Sequence, residues 1–80
     1  MTSLAEIEVD ARGHRCPVPT LRLRRALEGA APGQVVRLLA DDPLARVDVP
    51  HFAAQGGHTL LEAEPLDGGW SFRVQAGSGD

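Results

Sequence analysis

The single thiol of the chain, Cys16, lies within DARGHRCPVPTLRLRRAL, residues 10–27, two residues after His14 and directly before the first of two prolines. A cysteine among imidazole and guanidinium groups could serve as a hydrolytic nucleophile, but that needs a base oriented by a third group, and His14 has no evident orienter. Disulfide exchange needs a resolving cysteine, which this chain lacks. Metal ligation needs closely spaced cysteine or histidine partners, and His14, His51 and His58 supply no such pairing, so neither a metal nor a cofactor is expected. What remains is chemistry open to a lone thiolate: attacking an activated sulfur, holding it as a persulfide and passing it on.

The competing reading of Cys16 is a small buried hydrophobe. Its position argues otherwise, because a strand-to-helix junction between arginine and proline suits presentation of sulfur better than core packing. Five arginines (Arg12, Arg15, Arg22, Arg24, Arg25) stand between residues 12 and 25 without an acid, in a chain whose net charge is −3. All eight strongly basic residues are arginine, which excludes Schiff-base chemistry on lysine. A helix N-terminus favours an anion by about 0.3–1 kcal/mol. Together with Arg12, Arg15 and His14 it predicts a lowered thiol pKa and a larger thiolate fraction.

Elements must place this thiol. IEVDA alternates Ile7, Val9 and Ala11 against Glu6, Glu8 and Asp10, the period of a strand with one wet face. A helix is expected from about Pro17 to Ala30, with Pro17 and Pro19 in its first turn and Leu23, Ala26, Leu27 and Ala30 on one face. Cys16 then falls at its N-cap or first turn. QVVRLLA, residues 34–40, reads as an interior strand. Asp41, Asp42 and Pro43 read as a helix start, and Leu44, Val47, Val49, Phe52 and Ala53 as the apolar members of a second helix. Pro50 should kink or restart that helix, with Asp48 as a new cap. HTLLEAE and WSFRVQA form two further strands joined by a turn at LDGG.

The order is βαβαββ. It predicts an α/β (α+β) two-layer sandwich: a mixed four-stranded sheet, two helices on one face and the other face open to water. Eighty residues suit one domain spanning 1–80, with an ordered core at about 5–76 and a frayed GSGD end. No apolar run is long enough to cross a bilayer, and MTSLAEIEVD lacks the regions of a signal peptide, so a cytoplasmic location is expected.

DARGHRCPVPTLRLRRAL, followed by ADDP, VDVPHF, GGHTLLEAE and a terminal hairpin, resembles the TusA/SirA family of small sulfur carriers, whose hallmark is Cys-Pro-x-Pro at the start of the first helix. The likeness runs from Val9 to Ala76, with Asp10, Gly13, ADDP and GH at matching positions. It implies a fold related to the C-terminal domain of translation initiation factor 3. It also implies that Cys16 accepts persulfide sulfur from a cysteine desulfurase or a rhodanese-type protein and relays it to a downstream protein, in tRNA thiolation, molybdenum cofactor assembly or sulfur metabolism. Such a chain is a relay rather than a stand-alone turnover enzyme. Two departures bear on the partner: Val18 stands between the prolines where many members have glutamate, and arginines replace lysines common in the first helix.

In this reading Gly13, Pro17 and Pro19 shape the turn that holds the sulfur outward. Arg22, Arg24 and Arg25 read either as a solvated helix face or as a docking surface for an acidic partner, the docking set being Arg12, Arg15, Arg22 and Arg25. Asp41 and Asp42 read as capping residues rather than an acid–base pair. His51 reads as a helix-surface residue and His58 as a strand start, whose further role would rest on the family-like GH alone. Trp70, Phe72 and Phe52 are spaced for core packing. The alternative function is a regulatory or RNA-binding module using the Arg-rich first helix. The negative net charge and the lack of an aromatic platform count against nucleic-acid binding.

Overall fold

Strand-period and helix-period segments alternate along the chain, and each apolar face finds its cover in one layer of two helices on one four-stranded sheet. A computed structural model describes residues 5–77. The elements are β1 (Ile7–Asp10), α1 (Val18–Glu28), β2 (Val35–Ala40), α2 (Ala45–Gln55), β3 (Thr59–Leu66) and β4 (Gly69–Gln75). The sheet order is β1-β2-β4-β3. β1 and β2 are parallel, with Val9 opposite Leu38, while β4 runs antiparallel to both β2 and β3. This is the mixed sheet that the element order predicts; the expected GSGD fraying concerns Gly77 and residues 78–80, of which the latter lie outside the described residues.

The core lies between sheet and helices. Leu23 and Leu27 of α1 and Ala45, Val49 and Ala53 of α2 pack on Val36, Leu38 and Ala40 of β2 and Phe72 and Val74 of β4. Ala26, Ala30 and Phe52 are partly buried against it. α1 is therefore amphipathic as its spacing predicts. α2 departs from expectation: Leu44 is 54% exposed and Val47 66%. Its buried stripe follows Ala45, Val49 and Ala53 instead, four residues apart, and Leu44 and Val47 fall off that stripe.

α2 is also one continuous helix, with Pro50 inside it and no side-chain cap at its start. Pro50, the sixth of its eleven residues, removes an interior donor, and burial of Val49 and Ala53 on either side nevertheless holds the segment helical. The expected restart at Asp48 is thus replaced by a single helix. α1 begins one residue later than expected: Pro17 occupies the N-cap position, Val18 is the first helical residue, and Pro19 is buried rather than merely stiffening the turn.

The hairpin between β3 and β4 turns through Asp67 (φ 33°) and Gly68 (φ 80°), the left-handed pair that matches strand twist in a two-residue turn. Gly69 follows, and a Cβ there would lie 2.6 Å from the Ala40 carbonyl oxygen and 3.0 Å from Asp41 Cα. Only glycine lets the hairpin lie against the end of β2, where the acidic turn begins.

The opposite sheet face is a polar array. Arg73 on β4 reaches Glu6 at 2.7 Å and also pairs with Glu62 of β3, while Arg37 Nε donates to Ser71 Oγ at 2.9 Å. Glu64 shares a hydrogen bond with Glu62, which raises the pKa of Glu64, whereas the arginine beside Glu62 lowers that of Glu62.

Candidate functional site

Because β1 and β2 are parallel neighbours, the loops that follow them emerge at the same end of the sheet, and both helices start there. Residues 11–17 after β1 thus meet residues 41–44 after β2. The contact is a set of backbone amides held by carboxylates. Gly13, at φ +84°, turns its N–H onto both Asp41 carboxylate oxygens at 3.0 and 3.1 Å. The Cys16 N–H donates to Asp42 Oδ2 at 2.5 Å. Asp42 Oδ1 accepts the N–H of Leu44, the N-cap residue, at 3.1 Å, so in place of the expected helix cap Asp42 closes the turn before α2 and adds a long-range contact. These two donors hold the Asp42 carboxyl below the usual carboxylate range, with Arg15 adding to the effect.

Cys16 is exposed, as its position predicts. It stands one residue before the N-cap of α1, not within the first turn, and the Cys16–Pro17 peptide is cis. It opens onto a shallow groove of about 250 Å³ between the two helices, lined with Pro17, Thr20, Asp48, His51 and Phe52. A second, more polar depression of about 340 Å³ lies on the other side of the loop, against Gly13, His14, Arg15 and the acidic turn.

The expected lowering of the thiol pKa is overturned. Cys16 Sγ donates to Asp48 Oδ2 at 2.9 Å, and the thiol pKa is raised: first by that hydrogen bond, then by desolvation and by the negative charge of Asp48 and Asp42. Sequence proximity misplaces the arginines. Arg12 closes on Asp10 with Nε at 2.9 Å and Nη2 at 2.8 Å, and Arg22 donates to the Asp10 carbonyl at 3.1 Å. Arg24 pairs with Glu28 at 3.3 Å. The helix start offers little either. Pro17 and Pro19 carry no N–H, and the Val18 N–H is spent on the Arg15 carbonyl at 2.9 Å.

The structure therefore gathers Cys16, Gly13 and Pro17 in one loop, and puts Pro19 beneath it in the core. Arg15 flanks the loop, whereas Arg12 and Arg22 are drawn to Asp10, and Arg25 lies in the last turn of α1. His58 takes no part in the groove; its Nδ1 accepts the Gly77 N–H at 2.9 Å, and its ring lies 6.0 Å from that of Phe52. Trp70 is partly buried, under the Arg46 guanidinium at 5.5 Å.

Two features escape a reading of residue types. The long-range role of Asp41 and Asp42 had a signal, since acids at the end of a strand parallel to β1 must face the loop after β1. Asp48 had none, because its meeting with Cys16 depends on how α2 packs beside α1.

Comparison with known proteins agrees with this arrangement. Residues 7–76 match the family model described as Sulfurtransferase TusA. A candidate sulfur carrier of Archaeoglobus fulgidus is 40% identical over 62 residues, covering 78% of this chain and 80% of that protein. The sulfur carrier protein TusA of Allochromatium vinosum is 37% identical over 68 residues, covering 85% and 90%. The crystal structure of a SirA-like protein from Desulfitobacterium hafniense superimposes with a TM-score of 0.77 at 32% identity, over 89% of this chain and 97% of that one. With a thiol presented at the shared end of two parallel strands and a family match spanning both helices and all four strands, the chain belongs to the TusA family of sulfurtransferases.

Proposed function

We propose that this chain carries sulfur as a persulfide on Cys16, taken from a protein persulfide and delivered to a second protein. The observation that supports it most is the mount: a single exposed thiol on a short loop whose backbone is held at Gly13 and Cys16 by two carboxylates from a neighbouring strand end. Such a loop can enter a partner's site without reorganising, which keeps the ordering cost of transfer small.

In the exchange, Cys16 Sγ bonds to the terminal sulfur of the donor persulfide while the donor's own S–S bond breaks. The electron pair leaves on the donor cysteine, which ends with the proton that Cys16 gave up. Nothing is oxidised or reduced overall. The same exchange at the acceptor returns Cys16 to a thiol. The donor is a cysteine desulfurase or a rhodanese-type protein, and the acceptor belongs to tRNA thiolation, molybdenum cofactor assembly or sulfur metabolism. Arg15 supplies positive charge at the loop itself for an acidic donor or acceptor surface, while Arg12 and Arg22 are engaged at Asp10 and Arg25 stands at the far end of α1.

Incubation with a cysteine desulfurase and cysteine, and separately with a persulfidated rhodanese, should add one reducible sulfur atom to the intact mass, and Cys16→Ser should abolish the gain. No gain from either donor, or a gain that survives the substitution, would sink this reading.

A further inference from the structure

Among the described residues Asp48 is the one carboxylate that touches the thiol, and nothing in the relay as described requires it. We infer that Asp48 is a positioning residue that seats the unloaded Cys16 thiol in the groove between α1 and α2 and gives it up when sulfur is loaded, so that the carried sulfur turns outward. This rests on Cys16 being the sulfur-carrying residue.

The seat has room for one sulfur only. Sγ lies 2.9 Å from Asp48 Oδ2, and a second sulfur bonded at about 2.0 Å along that line would come within about 1 Å of the carboxylate oxygen. Loading must therefore point the new S–S bond away from Asp48 and end the thiol's hydrogen bond to it. Charge acts in the same direction. A neutral thiol is a donor that a carboxylate accepts, whereas a persulfide is more acidic than a thiol and is carried largely as an anion near neutral pH. The charged and titratable groups around Sγ are Asp42 from the turn before α2, Asp48 and His51 from α2, and His14 and Arg15 from its own loop; α1 faces it with uncharged Thr20. The carboxylate in contact with the sulfur thus favours the empty state in the seat and disfavours the loaded one. The unloaded thiol is quiet toward stray electrophiles, and the loaded sulfur is available to the next protein.

The test measures Cys16 without any sulfur donor. Asp48→Asn keeps the side-chain shape and one oxygen acceptor but removes the charge. The rate of alkylation by iodoacetamide, followed by intact mass against pH, should have its midpoint about one pH unit lower in D48N than in the parent protein, with alkylation near neutral pH about tenfold faster. A profile superimposable on the parent's overturns the positioning role and leaves sulfur carriage standing. Failure of the parent protein to load sulfur removes the carrier reading without touching the alkylation result.

If D48N does not fold, carbon NMR of the parent protein decides. The Asp48 carboxyl resonance should move with the same midpoint as the Cys16 Cβ resonance, and should move again on persulfide loading. Independence of the two resonances would overturn the proposal.

Discussion

At the scale of residues, the thiol's location could be read from its neighbours in sequence, but its ionisation could not. Arg12 and Arg15 flank Cys16 along the chain, yet the charges that govern it, Asp48 and Asp42, arrive from α2 and the turn before it. Sequence distance reports charge content; only the packed chain reports which charges face one another. Asp10 shows the same rule from the other side. Arg12 bonds its carboxylate through side chain and backbone N–H and holds its pKa down at about 2. A carboxylate lowered on folding contributes stability above its ordinary value of 3.8, and that contribution is lost as pH falls through about 2. The expected outcome is an Asp10 carboxyl resonance with a midpoint of about 2, moving back toward 3.8 in Arg12→Ala. In urea denaturation the gap in stability between parent and variant should shrink as pH falls below about 4.

Among the elements, α1 was legible because Leu23 and Leu27 follow the helical period while Arg22, Arg24 and Arg25 all fall on exposed positions. α2 was placed in the right part of the chain, but with a break at Pro50 that the helix does not have and with Leu44 and Val47 on a buried face that they do not share. Its apolar residues outnumber its core positions, and only docking on β3 and β4 decides that Val49 and Ala53 go inside while Val47 stays out. Pro50 misled for a related reason, since burial of its neighbours outweighs one missing donor. Two substitutions test this assignment by urea or thermal denaturation. Leu23→Ala, at a fully buried site, should cost about 2–5 kcal/mol. Leu44→Ser, at an apolar residue that is 54% exposed, should change stability by no more than about 0.5 kcal/mol.

For the whole molecule, the two-layer plan and the wet second face follow from the alternation of β1 and β4. The insertion of β4 between β2 and β3 was not written in any one segment, because strand order depends on pairing across distant residues. That order brings Arg73 between Glu62 and Glu6 and so ties the hairpin to the residue preceding β1 across the sheet. Arg73→Met should lower the urea midpoint at low ionic strength, and the difference should fade in molar salt because these pairs lie on an open face.

β1 is an edge strand of only four residues, and beyond Ala11, whose N–H donates to the Leu39 carbonyl at 2.8 Å, the chain is fastened to its neighbour through the amides of Gly13 and Cys16. The fastening that presents the sulfur is therefore also a selvedge for the sheet. Any loosening of that margin reaches the sulfur-bearing loop as well, because the same few bonds hold both.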